Sequence, residues 1–161
     1  MILLSGTTVN GHVNISGKAT GSGQTVPIQV CGATATSNLS IQNNSSAITV
    51  GGTSCGATSV GGNLQVQSDS GAVSITSTSV SNNLTVQGNT GTVLVSGNTV
   101  SGNLQVQNNT DAAANATQVL NNNVSKNLIC SGNTSNRSRE HGEIEAGAMR
   151  DLLGGAVLGK I

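Results

Sequence analysis

The sequence predicts an all-β fold: a right-handed parallel β-helix (β-solenoid) of about six coils, followed by a short C-terminal tail that is either helical or disordered. Three observations point there. A six-residue motif recurs at intervals of 20 to 26 residues. Within each interval, apolar and polar residues alternate in short runs separated by turn-forming residues. The composition also suits thin stacked layers: 22 Gly, 20 Asn, 21 Ser, 18 Thr and 9 Gln among 161 residues, with no Phe, Tyr or Trp. Leu, Ile and Val number 38, low for a globule but above the level of a disordered chain.

The clearest copies of the motif are GNLQVQ at 62–67, NNLTVQ at 82–87 and GNLQVQ at 102–107. Weaker copies are SNLSIQ at 37–42 and KNLICS at 126–131, and GHVNIS at 11–16 carries His in place of Asn. The first core residue of each coil is then Val13, Leu39, Leu64, Leu84, Leu104 or Leu128, giving periods of 26, 25, 20, 20 and 24. Each coil contains Leu64/Val66, then Val73/Ile75, then Val80; the next reads Leu84/Val86, Val93/Val95, Val100. Alternation at period two means a strand with one buried face. The pairs are divided by turn chemistry at Ser70-Gly71, Thr90-Gly91 and Gly97-Asn98. One coil cannot bury its apolar face alone, but stacked coils bury a continuous column. A left-handed hexapeptide solenoid would keep a spacing built on six, so the variable period favours the right-handed form.

An Asn precedes the first core residue at Asn38, Asn63, Asn83, Asn103 and Asn127. Asn tolerates the left-handed backbone of a sharp corner. Stacked about 4.8 Å apart, such amides can also bond to one another as a ladder. Gln65, Gln67, Gln87, Gln105 and Gln107 form a similar outward row, a solvated face kept soluble without charge.

Charge divides the chain. From Ala19 to Thr110 the one charged side chain is Asp69, whereas eight of the 12 charges fall in the last 25 residues. The domains read as a body over 5–136 and a charged, Gly-rich tail over 137–161. In the tail, Ile144, Met149, Leu152, Leu153 and Val157 have near-helical spacing, opposed by Gly147, Gly154 and Gly155. Its GGAVLGK run imitates a phosphate loop but lacks the Ser or Thr, the preceding strand and the following helix that such a loop needs.

The phrase GNLQVQNNT, with the related V-x-V-SGNTVSGNL around Val93 to Leu104, resembles secreted right-handed β-helix proteins of actinobacteria. At a greater distance it is similar to the pectate-lyase-like β-helix superfamily. The resemblance covers roughly 6–134 and speaks for fold rather than activity. It implies a secreted or cell-surface protein whose signal peptide stands upstream of Met1, with a cytoplasmic location as the alternative. It also implies a further Cys beyond residues 127–133, which this tail does not contain.

Catalysis is not expected. Lyases and hydrolases on such folds need clustered carboxylates, and the body offers Asp69 and Asp111, read as solvated turn residues two coils apart. No cofactor is implied, and His and Cys show no metal-ligand spacing. Nucleic acid is excluded as a partner by the missing basic stripe and stacking rings, and no apolar run spans a membrane. Cys31-Gly-Ala-Thr and Cys55-Gly-Ala-Thr read as copies of one phase on adjacent coils, a candidate structural disulfide; Cys130 takes the place of Val106 and points inward.

The expected role is a non-catalytic structural or adhesive module, secreted or at the cell surface, whose partner is another copy or a surface polymer. One alternative is a polymer scaffold assembled end to end, like the bactofilin solenoids to which the chain is distantly similar. A second is ice binding through Thr/Ser rows at Thr34/Thr36, Ser59/Gly61, Ser79/Ser81, Thr99/Ser101 and Asn123/Ser125, a pattern too irregular to be favoured.

Overall fold

The computed structural model describes residues 1–17, 27–111 and 116–134. The tail at 137–161, with its candidate helix and phosphate-loop imitation, lies outside the described residues.

Alternation of small apolar and polar residues, broken by Gly, Asn and Ser, yields strands of two to four residues, three to a rung. Rung 1 holds β1 (Ile2–Ser5), β2 (Thr8–Val9) and β3 (Val13–Ser16). Rung 2 holds β4 (Ile28–Cys31), β5 (Thr34–Ala35) and β6 (Leu39–Gln42). Rung 3 holds β7 (Ile48–Gly51), β8 (Thr58–Val60) and β9 (Leu64–Gln67). Rung 4 holds β10 (Val73–Thr76), β11 (Thr78–Val80) and β12 (Leu84–Gln87). Rung 5 holds β13 (Val93–Ser96), β14 (Thr99–Val100) and β15 (Leu104–Gln107). Rung 6 holds β16 (Thr117–Leu120), β17 (Asn123–Val124) and β18 (Leu128–Ser131). Equivalent strands pair in parallel, so the chain is a β-solenoid of three six-stranded sheets. The first strand uses residues 2–5, which the repeat left outside the body because Ile-Leu-Leu hides its alternation.

The register is that of the repeat. Leu84 pairs with Leu64 on one side and Leu104 on the other, and Val86 with Val66 and Val106. Val73 and Ile75 pair with Ile48 and Val50, then with Val93 and Val95. On the third sheet Val60, Val80 and Val100 are in line. These side chains are 2% exposed or less and form one column. Ile2, Leu4 and Val13 at one end, and Leu128 and Cys130 at the other, are only partly buried because each has a rung on one side alone.

Two of the three corners turn on a left-handed residue. After the third strand of every rung stands Gly17, Asn43, Ser68, Gly88, Asn108 or Gly132, with φ from 52° to 67°. After the first strand stand Gly6, Gly32, Ser77, Gly97 and Asn121, with φ from 50° to 64°. The Asn38–Asn127 row does not take this conformation, so the left-handed role expected of it belongs to the residue types at the other two corners. Gly71 and Gly91 answer a different need. A Cβ on Gly71 would collide with the carbonyl of Ser46, and one on Gly91 with that of Gly71, so the rungs meet here backbone on backbone.

Candidate functional site

The polar residues of the solenoid gather at its three corners, each of which carries a hydrogen-bonded ladder. The first is the row read from the sequence. Asn63 N–H donates to Asn38 Oδ1 at 2.8 Å, Asn83 to Asn63 at 3.1 Å, Asn103 to Asn83 at 2.9 Å and Asn127 to Asn103 at 3.2 Å. Side-chain amides reinforce three of these steps at 3.1–3.4 Å. At the end of the row His12 replaces Asn, and its Nδ1 lies 3.2 Å from Ser37 Oγ.

The second ladder was not anticipated. It follows the third strand of each rung and runs Asn44, Asp69, Asn89, Asn109, Asn133, all 7% exposed or less. Here the lower rung donates upward: Asn44 N–H to Asp69 Oδ1 at 2.7 Å, Asp69 N–H to Asn89 Oδ1 at 2.9 Å, Asn89 to Asn109 at 3.1 Å and Asn109 to Asn133 at 3.0 Å. Each buried Nδ2 also ties back to the core strands, Asn89 to the Val66 carbonyl at 3.3 Å, Asn109 to Val86 at 3.1 Å and Asn133 to Val106 at 2.8 Å. The signal was present: these residues stand five positions after Leu39, Leu64, Leu84, Leu104 and Leu128. Asp breaking the run of Asn obscured it.

A third ladder follows the first strand, at Thr58, Thr78, Asn98 and Asn122, two positions before Val60, Val80, Val100 and Val124. Thr78 N–H donates to Asn98 Oδ1 and Asn98 N–H to Asn122 Oδ1, both at 3.0 Å. Asn98 Nδ2 reaches the Ile75 carbonyl at 2.9 Å, and the Thr58 hydroxyl reaches that of Val30 at 2.9 Å. Amide side chains suit such a corner because Oδ1 can accept from one neighbouring rung while Nδ2 donates to a carbonyl on an adjoining strand, and a Thr hydroxyl can make the second of these bonds.

These contacts correct the reading of Asp69 as a solvated turn residue: it is 1% exposed. Burial pushes its carboxyl above the usual value, opposed by hydrogen bonds from Asn44 and from the backbone of Gln67. Asp111 occupies a different phase, two residues past Asn109, where its N–H meets Thr134 Oγ1 at 3.2 Å. Both carboxylates therefore stand in the turn after a third strand, two rungs apart as the repeat predicts, but at different positions within it. No group of three or more His, Cys, Asp or Glu able to hold a metal occurs among the described residues.

Cys31 and Cys55 form a disulfide with Cα atoms 4.7 Å apart. They lie one above the other on adjacent rungs, as the shared Cys-Gly-Ala-Thr predicts, and Gly32 N–H donates to the Gly56 carbonyl beside them at 3.2 Å. Cys31 ends β4, whereas Cys55 sits in an excursion of the chain between β7 and β8, absent from rung 4, where Thr76 and Thr78 are nearly adjacent. The bridge pins that excursion to the rung below. Replacing both cysteines with Ser is expected to lower stability by about 3 kcal/mol, in line with closure of a loop of this size, read from urea midpoints of oxidised parent and variant. Cys130 pairs with Val106 in register and packs against the core. Burial pushes its thiol up to about 11. Thiol alkylation of native protein is therefore expected to be slow at neutral pH and to accelerate into the alkaline range; fast neutral labelling would contradict this burial.

Outside the corners the sheets present neutral rows. Gln42, Gln67, Gln87 and Gln107 align on one sheet, ending in a hydrogen bond from Gln107 Nε2 to Ser131 Oγ at 2.9 Å. On another, Thr8, Thr34, Ser59, Ser79, Thr99 and Asn123 align. Fold and ladders together define the class: a parallel β-solenoid with amide-lined corners and uncharged faces. Comparisons with protein-family models, with curated proteins and with solved structures returned no match.

Proposed function

We propose that the chain is a non-catalytic structural or adhesive solenoid module, secreted or displayed at a cell surface, akin to the secreted actinobacterial β-helix proteins its repeat resembles. The observation that carries this reading is the alignment of uncharged Gln and Ser/Thr rows over stacked rungs whose interior polar groups are bound to one another. Such faces suit repeated, weak contact with a neutral polymer rather than chemistry on one small molecule. Asp69 is enclosed, so no substrate reaches it from solvent. The Cys31–Cys55 bridge fits an oxidising compartment. Among the described residues no helix is long and apolar enough to cross a membrane.

The test has two parts. Purified protein is expected to co-sediment with insoluble cell-wall polymer in both low and high salt and to release no sugar from it. Turnover that is lost in Asp111→Asn would overturn the non-catalytic reading. Recovery of Cys31 and Cys55 as free thiols, trapped by alkylation during lysis of producing cells, would overturn the location.

A second reading, the bactofilin-like polymer, draws on the partly buried apolar residues of both end rungs. Sedimentation velocity over a wide concentration range separates the two: a single constant species removes the polymer. Ice binding is not favoured, because Ser59, Ser79 and Asn123 interrupt the Thr row.

A further inference from the structure

The second corner ladder contains one flaw, and its chemistry is specific. In every neighbouring step the side-chain Nδ2 does two things: it donates to the Oδ1 of the next rung and to a carbonyl on the adjoining core strand. Asn89 Nδ2 reaches Asn109 Oδ1 at 2.9 Å and the Val66 carbonyl at 3.3 Å. Asn109 Nδ2 reaches Asn133 Oδ1 at 2.9 Å and the Val86 carbonyl at 3.1 Å. Asn44 Nδ2 reaches Asp69 Oδ1 at 2.9 Å and the Ile15 carbonyl at 3.5 Å. The carbonyls form a column in register, from Ile15 through Ile41, Val66 and Val86 to Val106. The member that no Asn serves is Ile41, and the residue at its step is Asp69.

Asp69 Oδ1 already accepts from Asn44 twice, through N–H at 2.7 Å and Nδ2 at 2.9 Å. Its Oδ2 is buried and has no hydrogen-bond partner. That oxygen holds the place of an Nδ2, and its two prospective neighbours by register, Asn89 Oδ1 and the Ile41 carbonyl, are both acceptors. As a carboxylate, Asp69 would set a third acceptor against these two, eased by the Gln67 N–H on its own rung, whose effect is smaller than that of burial. As a neutral acid it supplies the missing hydrogen.

We propose that Asp69 is a proton-operated latch in the corner ladder: neutral, its Oδ2–H donates to the Ile41 carbonyl and joins rung 3 to rung 2; ionised, the proton passes to water and that step opens. The groups facing it are neutral. Rung 2 brings Gln42, Asn43 and Asn44, and rung 4 brings Gln87, Gly88 and Asn89, none of them titratable. The other described ionisable groups stand on different rungs: the Met1 amine and His12 on rung 1, Asp111 beyond β15, and Lys126 and Cys130 on rung 6. Among the described residues no cation lies on the adjacent turns to hold the carboxylate, and burial pushes the carboxyl above its ordinary 3.8. A carboxyl whose folded pKa exceeds its unfolded value contributes stability that is complete below the unfolded value and lost as pH rises through the folded one. The solenoid is therefore tighter at mildly acidic pH than at neutral pH, as far as this group is concerned.

The chain has three Asp, at 69, 111 and 151, so protein labelled with carbon-13 at the Asp carboxyl gives three resonances. Asp69→Asn, Asp111→Asn and Asp151→Asn assign them by loss. The resonance of Asp69 is expected to titrate above 3.8. Asp69→Asn restores both Nδ2 bonds without a proton, so it is expected to melt above the parent at neutral pH and to lack the parent's fall in melting temperature between acidic and neutral pH. Titration of Asp69 at or below 3.8 overturns the latch. So does an Asp69→Asn protein no more stable than the parent at neutral pH. Should that variant not fold, the remaining two assign the resonance by elimination and the titration decides alone.

Discussion

Replacing Leu84 with Asp is expected to abolish the cooperative unfolding transition. Leu84 is fully buried at the start of β12, stacked between Leu64 and Leu104. Truncation to Ala at such a site costs about 2–5 kcal/mol, and an unpaired carboxylate there adds a desolvation penalty of several more. A domain of this size holds about 5–15 kcal/mol in total. The solenoid amplifies the damage because each rung touches only its neighbours. Spoiling rung 4 divides the rod into two short stacks, each with a fresh exposed end. Far-ultraviolet circular dichroism against temperature and urea checks this, with Leu84→Ala as the milder companion. A Leu84→Asp midpoint equal to the parent's would mean that the side chain does not point inward and that the register is wrong.

Asn109→Leu is expected to be nearly as harmful, although it adds apolar surface to a buried position. Asn109 is fully buried, accepts from the N–H and Nδ2 of Asn89, and donates to Asn133 Oδ1 and the Val86 carbonyl. Leu would remove all four bonds, although Asn133 Oδ1 keeps the N–H of residue 109 at 3.0 Å and Asn89 Nδ2 keeps the Val66 carbonyl at 3.3 Å, and each unsatisfied buried group costs about 1–3 kcal/mol. Partial relaxation brings the expected loss to about 3–6 kcal/mol. The control is Asn103→Ala in the outer ladder, where the amide is only half-buried and water can replace its bonds; about 1 kcal/mol is expected there. Urea midpoints of the two variants, measured side by side, give the comparison. Equal losses would mean that the two ladders differ in position but not in energetic weight.

The strands and their stacking were legible because period-two alternation is a direct image of a buried face. Leu64, Leu84 and Leu104 announce their own register at a spacing of 20. The outer ladder was legible because one residue type repeats beside a conspicuous Leu. The buried ladders were harder to see. Their rows mix Asn with Asp in one case and with Thr in the other, since a short side chain that accepts from the rung below or donates to a carbonyl there satisfies part of the corner's demand. The position of a left-handed residue was misplaced for the same reason: Gly, Asn and Ser are used interchangeably, so the row of Gly88, Asn108 and Ser68 shares a backbone angle rather than a letter. The repeated Cys-Gly-Ala-Thr placed the bridge because the extra chain after Gly51 returns to the stack by Cys55, where Gly56 meets Gly32; what the repeat did not show is the excursion itself. Asp69 was misjudged because a charged side chain on a turn is ordinarily wet, and only the inward lean of the corner buries it.

The excursion between Gly51 and Thr58 has a consequence for how such a molecule changes over generations. The chain departs from the stack and rejoins it with Val60 still beside Ala35 and Val50 beside Val30. Extra residues at a corner lengthen a loop at slowly rising entropic cost, about 0.6 kcal/mol per doubling, and leave every buried contact as it was. Whole units behave differently: duplicating or deleting one 20-residue turn, such as the step from Asn63 to Asn83, changes the length of the rod by one layer and preserves the pattern at the join. Reach and surface decoration are thus inherited separately, one altered by unequal recombination between repeats and the other by a few inserted codons, and neither requires a compensating change in the core.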